Sequence, residues 1–394
     1  MPLNNISIIG DVCTGCGGCY NICPKSAIEM SEDAEGFFYP RVNTNCIDCG
    51  LCLRACPVND KCGNQNGEGA YEQKGYVVLT KNKSNYKRTA SGGVFTTVAK
   101  AFLSENPNAY VVGAIWDKEK GKVVHLLSNK PSDIPRMSNS KYVQSDMEDI
   151  YKKCNILLKD GKRILFSGTP CQVAALKKIT GNPSTLITFD IICHGVPSPK
   201  LLNKQIKELS DKAGYSYDNV SFRWKNAFWK HSGFYLVLQK TNRLKKIYSN
   251  STVPYFNLFM KNKSHRLSCY KCVFACLKRE GDITIGDCDS AKLYPTFYPE
   301  FSKSAIIINS AKGEQYWDEY NGLFKQCDLD IEKEAQVNRP LSKPEEMPPE
   351  RSTIYSSLEE LPYGEVLKKY GRKDPFYKSI VYKILDFLPF KYSV

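Results

Sequence analysis

The sequence predicts a small, cysteine-rich α+β domain followed by a larger α/β domain whose sheet is mixed and partly parallel. Three observations carry that expectation. Two copies of C-x2-C-x2-C-x3-C-P stand at 13–24 and 46–57. A polar, Gly/Asn/Gln-rich stretch, "KCGNQNGEGAYEQKG" (61–75), has the composition of a linker. Beyond it, β-branched apolar runs alternate with segments of helical period, the pattern of strands joined through helices.

Between the two cysteine repeats, "KSAIEMSEDAEGFFYPRVNT" has room for a short helix and a small hairpin. After the linker, "GYVVLT", "AYVVGAIW", "RILFSG" and "STLITFDIIC" read as strands. They alternate with the helical stretches "GVFTTVAKAFLSE", "DMEDIYKKCNILLKD", "CQVAALKKI" and "SPKLLNKQIKEL". Further strands are expected at "DITIGD" and "SAIIINS", with a helix at "GEQYWDEYNGLF". From about 332 the pattern decays into "RPLSKPEEMPPERS", which reads as an extended surface segment. The closing "DPFYKSIVYKILDFLPFKYSV" is an aromatic-rich amphipathic helix candidate, expected to dock on the protein itself or a partner, with a membrane surface as the alternative. The expected division is therefore 1–60, a linker at 61–75, a main domain at 76–330 and an extension at 331–394.

A chain of 394 residues can bury a sizeable core, and 42% hydrophobic with 24% charged residues is a globular composition. "MPLNNISIIGDVC" has no basic region ahead of an apolar stretch, and no apolar run approaches the ~18 residues of a membrane span. A cytoplasmic location without a transmembrane segment is expected. The 17 cysteines should then be reduced, and clustered reduced thiols are more often metal ligands than disulfide partners. The formal charge of +14 would ordinarily suggest nucleic acid, but it counts every cysteine as neutral, whereas metal-bound thiolates carry negative charge. No basic block, zinc-finger spacing or aromatic RNA-binding signature accompanies it, so no nucleic-acid partner is expected.

In each repeat, three cysteines at i, i+3 and i+6 can wrap one cluster while the fourth, fixed before a proline, points to the other. Cys13, Cys16, Cys19 and Cys56 would hold one [4Fe–4S] cluster, and Cys46, Cys49, Cys52 and Cys23 a second. Glycines 15, 17 and 18 suit a loop whose backbone N–H groups turn toward sulfur. Paired zinc sites would instead show CxxC knuckles separated by longer loops. This part resembles the bacterial-type two-cluster ferredoxin domain, so an α+β ferredoxin-like fold is expected over residues 1 to about 60. Such a domain relays single electrons.

In the larger domain, "KRTASGGVFTTVAKAFL" places Ser-Gly-Gly ahead of a helix, a possible phosphate seat or an ordinary loop and cap. No G-x-G-x-x-G follows a strand, so the Rossmann fingerprint is absent. Cys171 sits at a strand-to-helix turn, Cys193 ends a strand, and Cys269 with Cys272 forms a CxxC. Strand ends on one side of a parallel sheet converge, so these thiols could meet; alone, each reads as a small buried hydrophobe.

The series "SGGVFTTVAKAFL", "VVGAIW", "SNSKYVQS", "FSGTPCQVAALK", "DIICHGVPSP" and "CYKCVFACLKREGDITIGDCD" resembles the family of β subunits found in coenzyme F420-reducing hydrogenase and formate dehydrogenase, over residues 75 to 330. That resemblance implies FAD, a third [4Fe–4S] cluster, and electron passage between a hydride carrier and iron–sulfur chains. It implies Cys171, Cys193, Cys269 and Cys272 as ligands. Ser91, Gly92 and Gly93 would lie against the flavin phosphates, with Lys141, Tyr142 and Thr169 in the same pocket. Cys276 and Cys288 offer a local alternative with the CxxC. His194 is a weak candidate proton donor that could equally pack beside the cluster, and the catalytic residues are otherwise unknown. Asp287 and Asp289 could orient ligands or simply form a turn, and "SFRWKNAFWKH" reads as an exposed strand pair, with substrate recognition at a pocket mouth as the alternative.

The expected function is that of an iron–sulfur flavoprotein oxidoreductase that joins hydride transfer at FAD, with coenzyme F420 or another hydride carrier, to one-electron transfer. The alternative is an electron-transfer subunit without a substrate site of its own. Expected partners are an acidic electron carrier such as ferredoxin, or a partner redox enzyme, and a hydride-carrying small molecule.

Overall fold

The computed structural model describes residues 4–59, 71–226, 231–241, 245–249, 253–294 and 302–371. Most of the predicted linker and the whole closing amphipathic segment lie outside the described residues.

In the N-terminal domain each cysteine loop runs into a one-turn helix, Gly18–Ile22 and Leu51–Ala55. Both helices start after a glycine in left-handed conformation, Gly17 (φ 76°) and Gly50 (φ 72°), which a side chain would strain. The predicted hairpin is β1 (Ile28–Glu32) against β2 (Phe38–Val42), antiparallel with Ile28 opposite Val42. Ile6, Ile28 and Leu53 form a small apolar core together with buried cysteines.

The larger domain contributes β3 (Lys74–Thr80), β4 (Tyr110–Asp117), β5 (Lys122–Ser128), β6 (Ile164–Gly168) and β7 (Leu186–Ile191). It continues through β8 (Asn219–Asn226), β9 (His231–Gln239), β10 (Lys246–Ser249), β11 (Ile283–Asp287), β12 (Ser304–Ile308) and β13 (Phe324–Asp328). An eight-stranded sheet runs in the order β13-β3-β12-β11-β7-β6-β4-β5. Its four central strands, β11, β7, β6 and β4, are parallel, and antiparallel pairs flank them on both sides. Central parallel strands covered on both faces need continuous apolar runs, and "ILF" and "LITF" supply them with every residue buried. The predicted helices Val94–Glu105, Ile150–Lys159, Pro170–Thr180, Pro199–Ala213 and Ala311–Tyr320 all form.

A second core lies beside this sheet. Strands β10, β9 and β8 form an antiparallel sheet that packs with the helices Pro199–Ala213, Pro254–Met260, Arg351–Glu360 and Tyr363–Tyr370. The expected exposed strand pair at 221–231 is thus a strand pair whose Phe222 and Arg223 are buried. The expected extended segment, 339–352, is largely without regular structure between the short turn Arg339–Leu341 and the start of the helix Arg351–Glu360, but the helices Ile331–Val337, Arg351–Glu360 and Tyr363–Tyr370 around it were not expected, and Ile354, Leu358, Tyr363 and Val366 fill the second core. The prolines of this region cut the apolar pattern into pieces too short to read as a period. Among the described residues no helix is long and apolar enough to cross a membrane.

The two domains dock closely. Gly18 faces the helix Pro170–Thr180, where a methyl at Gly18 would stand 3.2 Å from Ala175 Cβ. Asn21 Nδ2 donates to the Glu148 carbonyl at 2.8 Å, and Lys152 N–H donates to Asn21 Oδ1 at 3.2 Å. Arg351 clamps Glu35 with two bonds of 2.7 and 2.6 Å, the fork geometry that fixes orientation as well as distance.

Candidate functional site

The carboxyl ends of β6, β7 and β11 open onto a cavity of about 560 Å³. Open α/β sheets bind ligands in this position. From β6 the chain turns through Thr169 into the helix Pro170–Thr180, which puts Cys171 in the first turn. Cys193 follows the end of β7, and Cys269 sits in the short helical turn Leu267–Lys271 just ahead of Cys272. All four thiols line the one cavity. Cys276 and Cys288 do not: Cys276 Sγ lies 3.2 Å from the Lys278 carbonyl, and Cys288 is buried against Glu334. Burial raises the Cys269 thiol to about 11 and Cys272 to about 12, with neighbouring thiols adding to both. Cys193 is raised well above its ordinary value by burial and then by Cys269 and Cys171. The Thr169 hydroxyl, 3.1 Å from Cys171 Sγ, opposes that trend at Cys171.

The cysteines of the N-terminal domain gather in two sets. Burial raises Cys16 and Cys19, and the charges of Cys13 and Cys56 add to both, which brings these four thiols into one neighbourhood. Cys23, Cys46, Cys49 and Cys52 line a second, small cavity at the other end of the domain. Thr14, Gly15 and Cys16 reach the large cavity, and Cys171 raises Cys16 more than any other thiol does. Among the described residues, no three His, Cys, Asp or Glu side chains close up tightly enough to hold a single metal ion. Bound iron would reverse the unfavourable ionisation of these thiols, because a coordinated thiol is deprotonated outright.

The Ser-Gly-Gly turn borders the same cavity through Ser91 and Gly93, at the start of the helix Val94–Glu105. Gly92 lies one layer deeper: a methyl there would come 2.4 Å from the Val78 carbonyl oxygen, and its N–H is taken by Ser304 Oγ at 2.9 Å. Lys141 Nζ donates to the carbonyls of Ser138, Asn139 and Arg136 at 2.7, 3.0 and 2.9 Å, while burial pulls its pKa down to about 7. Tyr142 has its hydroxyl on Arg223 Nη1 at 3.0 Å, and burial raises its pKa. Arg223 also pairs with Asp287 at 2.6 Å, so Asp287 faces that guanidinium. Burial raises Asp289 to about 6, and the Glu334 carboxylate adds to it. His194 lines the cavity, where burial lowers its pKa.

Several lining residues had no signal in the sequence. His125, on β5, holds Nε2 3.2 Å from the Ser167 carbonyl oxygen, and its buried Nδ1 has no partner. Asn338, Pro340, Pro344 and Glu345 come from the extension that carries no readable pattern. Glu334 anchors this extension by accepting the N–H groups of Asp289 and Ser290 at 2.9 and 3.0 Å.

Clustered thiols in two adjoining sets, beside a ligand-sized cavity, define an iron–sulfur oxidoreductase. Residues 161–330 match the family described as the C-terminal part of the coenzyme F420 hydrogenase/dehydrogenase beta subunit, and residues 12–59 match the 4Fe-4S dicluster domain. The chain thus carries a domain of that family behind a 4Fe-4S dicluster domain. It is 24% identical over 323 residues to the F subunit of the F(420)H(2) dehydrogenase of Methanosarcina mazei, covering 78% of this chain and 82% of that protein. It is 28% identical over 238 residues to the coenzyme F420-dependent sulfite reductase of Methanocaldococcus jannaschii, covering 55% of this chain and 35% of the relative. The chain thus spans about a third of that second protein. A chain in the solved F420-reducing [NiFe] hydrogenase complex from Methanosarcina barkeri aligns over 78% of this chain and 97% of its own length, at 14% identity and TM-score 0.46.

Proposed function

We propose that the protein joins hydride transfer at a bound FAD to single-electron transfer through three [4Fe–4S] clusters, using coenzyme F420 or another hydride carrier. The single observation that supports this most is that Cys171, Cys193, Cys269 and Cys272, from separate segments, line the same cavity as Ser91, Gly93, Lys141, Tyr142 and Thr169. A volume of about 560 Å³ lies within the roughly 300–1,000 Å³ typical of ligand pockets.

When bound, flavin would exchange a hydride in one step and single electrons in the next, and the clusters would carry those electrons. The chain supplies position and charge. Cys171, Cys193, Cys269 and Cys272 would hold the cluster nearest the flavin. Cys13, Cys16, Cys19 and Cys56 would hold the next, and Cys46, Cys49, Cys52 and Cys23 the outermost. Lys141 would face the flavin pyrophosphate, where an anion favours its ammonium form against the pull of burial. The first turn of the helix Val94–Glu105 would present backbone N–H groups to the same phosphates. Phe234 and Phe259, both lining the cavity and packed on Tyr142, would exclude water from the reacting ring. No side chain is required as a nucleophile.

The name of the Methanosarcina mazei relative describes one component of a dehydrogenase, which supports a partner redox enzyme for this chain as well. Cys49 is exposed, so electrons would leave or enter at the outermost cluster. Anaerobic purification with iron, sulfide and flavin analysis tests the reading. About twelve irons and one acid-releasable flavin per chain are expected. Absence of flavin fluorescence after acid release would refute the pocket assignment, and zinc without iron would refute the clusters.

A further inference from the structure

Arg266 is fully buried, with 0% of its surface exposed. Its Nε donates to the Cys13 carbonyl at 2.7 Å, Nη2 to the Phe38 carbonyl at 3.0 Å, and Nη1 to Gln144 Oε1 at 3.3 Å. The guanidinium carbon stands 3.9 Å from the centre of the Tyr39 ring. Among the described residues no Asp or Glu forms an ion pair with it. A buried cation held only by neutral dipoles carries a desolvation cost that a nearby anion would offset.

The surroundings of Arg266 indicate which anions those are. It stands three positions before Cys269, whose N–H donates to the Arg266 carbonyl at 2.9 Å. Its other end grips the loop bearing Cys13, where a methyl on Gly15 would come 3.0 Å from Nη1. Gln144 completes the grip, with Nε2 donating to the Thr14 and Gly15 carbonyls at 3.3 and 3.2 Å. Arg266 therefore lies between the two adjoining thiol sets.

The geometry points to Arg266 as the counter-cation shared by the cluster at Cys13, Cys16, Cys19 and Cys56 and the cluster at Cys171, Cys193, Cys269 and Cys272. It is a positioning residue that raises the reduction potentials of this pair and so couples the two domains electrically. Reduction adds one negative charge to a cluster, and a fixed cation in a low-dielectric site stabilises that state. This inference rests on the iron–sulfur reading above.

The test is an EPR-monitored redox titration of the anaerobically reconstituted full-length protein, with R266Q and R266K beside the parent chain. In R266Q at least one cluster should become harder to reduce by about tenfold in equilibrium constant, about 59 mV for a one-electron couple. R266K, which keeps the charge, should stay within about threefold of the parent. The cluster at Cys23, Cys46, Cys49 and Cys52 serves as internal control. If R266Q loads full iron and every potential is unchanged, the inference is wrong. It is equally wrong if R266K shifts as far as R266Q, since the fork and not the charge would then matter. If R266Q cannot hold iron, full loading of R266K supports the inference, and failure of both overturns it. A parent chain that binds no iron would sink the proposed function itself, a distinct result.

Discussion

Asp190 and Arg279 form a buried ion pair at the wall of the cavity, and removing the charge on Asp190 should both weaken the fold and loosen the site formed by Cys171, Cys193, Cys269 and Cys272. The two side chains are 0% and 1% exposed and 3.2 Å apart. Arg279 uses its remaining donors to tie loops together: Nη2 donates to the Ile191 carbonyl at 3.1 Å, ahead of Cys193, and Nη1 to the Phe274 carbonyl at 3.2 Å, after Cys272. Asp190→Asn leaves the guanidinium buried without its counter-charge. Breaking one side of a buried pair costs about 3–5 kcal/mol; taking the lower end, the melting temperature should fall by about 6–12 °C for a domain of this size. The assay is thermal and urea unfolding of the reconstituted protein, with iron determined in parallel. Iron should fall by about four atoms per chain, with the N-terminal clusters retained. A loss below about 1 kcal/mol, the level of an exposed pair, with full iron, would refute the reasoning.

Cys171→Ser should lower iron from about twelve to about eight per chain without disturbing the spectrum of the first domain. Unchanged iron content would discard the distributed ligand set. Lys141→Met removes the positive charge that would face the flavin pyrophosphate, so flavin should bind at least about tenfold more weakly, about 1.4 kcal/mol, in a titration by fluorescence quenching. Burial holds His125 neutral and lowers its pKa to about 4, against an ordinary value of 6.5. From pH 6.5 down to about 4 the unfolded chain binds a proton there that the folded chain does not, so this group makes stability fall as the pH falls. The loss attributable to it between pH 6.5 and 5 is about 1.6 kcal/mol. In His125→Gln that part of the acid sensitivity should vanish from urea midpoints measured across the same window, and an identical slope in both proteins would contradict it.

Much of the fold was legible because its signals are local. The runs that became β6 and β7 are apolar on both faces, which only a covered parallel strand tolerates, and the helix Val94–Glu105 announces itself by period. The three-stranded sheet and the helices Arg351–Glu360 and Tyr363–Tyr370 were not legible. Their buried residues are shared among short elements, and no single window carries a full period. Within the site, Ser91 and Gly93 line the cavity, while Gly92 serves a close crossing of backbone beneath it. Which of three neighbouring residues faces a cavity depends on the strand behind them, here the Val78 carbonyl and Ser304.

The sequence by itself determined the cysteine loops of the first domain, since three thiols within seven residues and a fourth before proline constrain one another through backbone geometry alone. Only the tertiary structure decided that Cys171, Cys193, Cys269 and Cys272 share a cavity, that Cys276 and Cys288 stay out of it, and that Cys16 reaches its edge. Cys171 and Cys272 alone are about a hundred positions apart along the chain. Their meeting is set by strand order and by the packing of helices across the sheet, which no local spacing encodes.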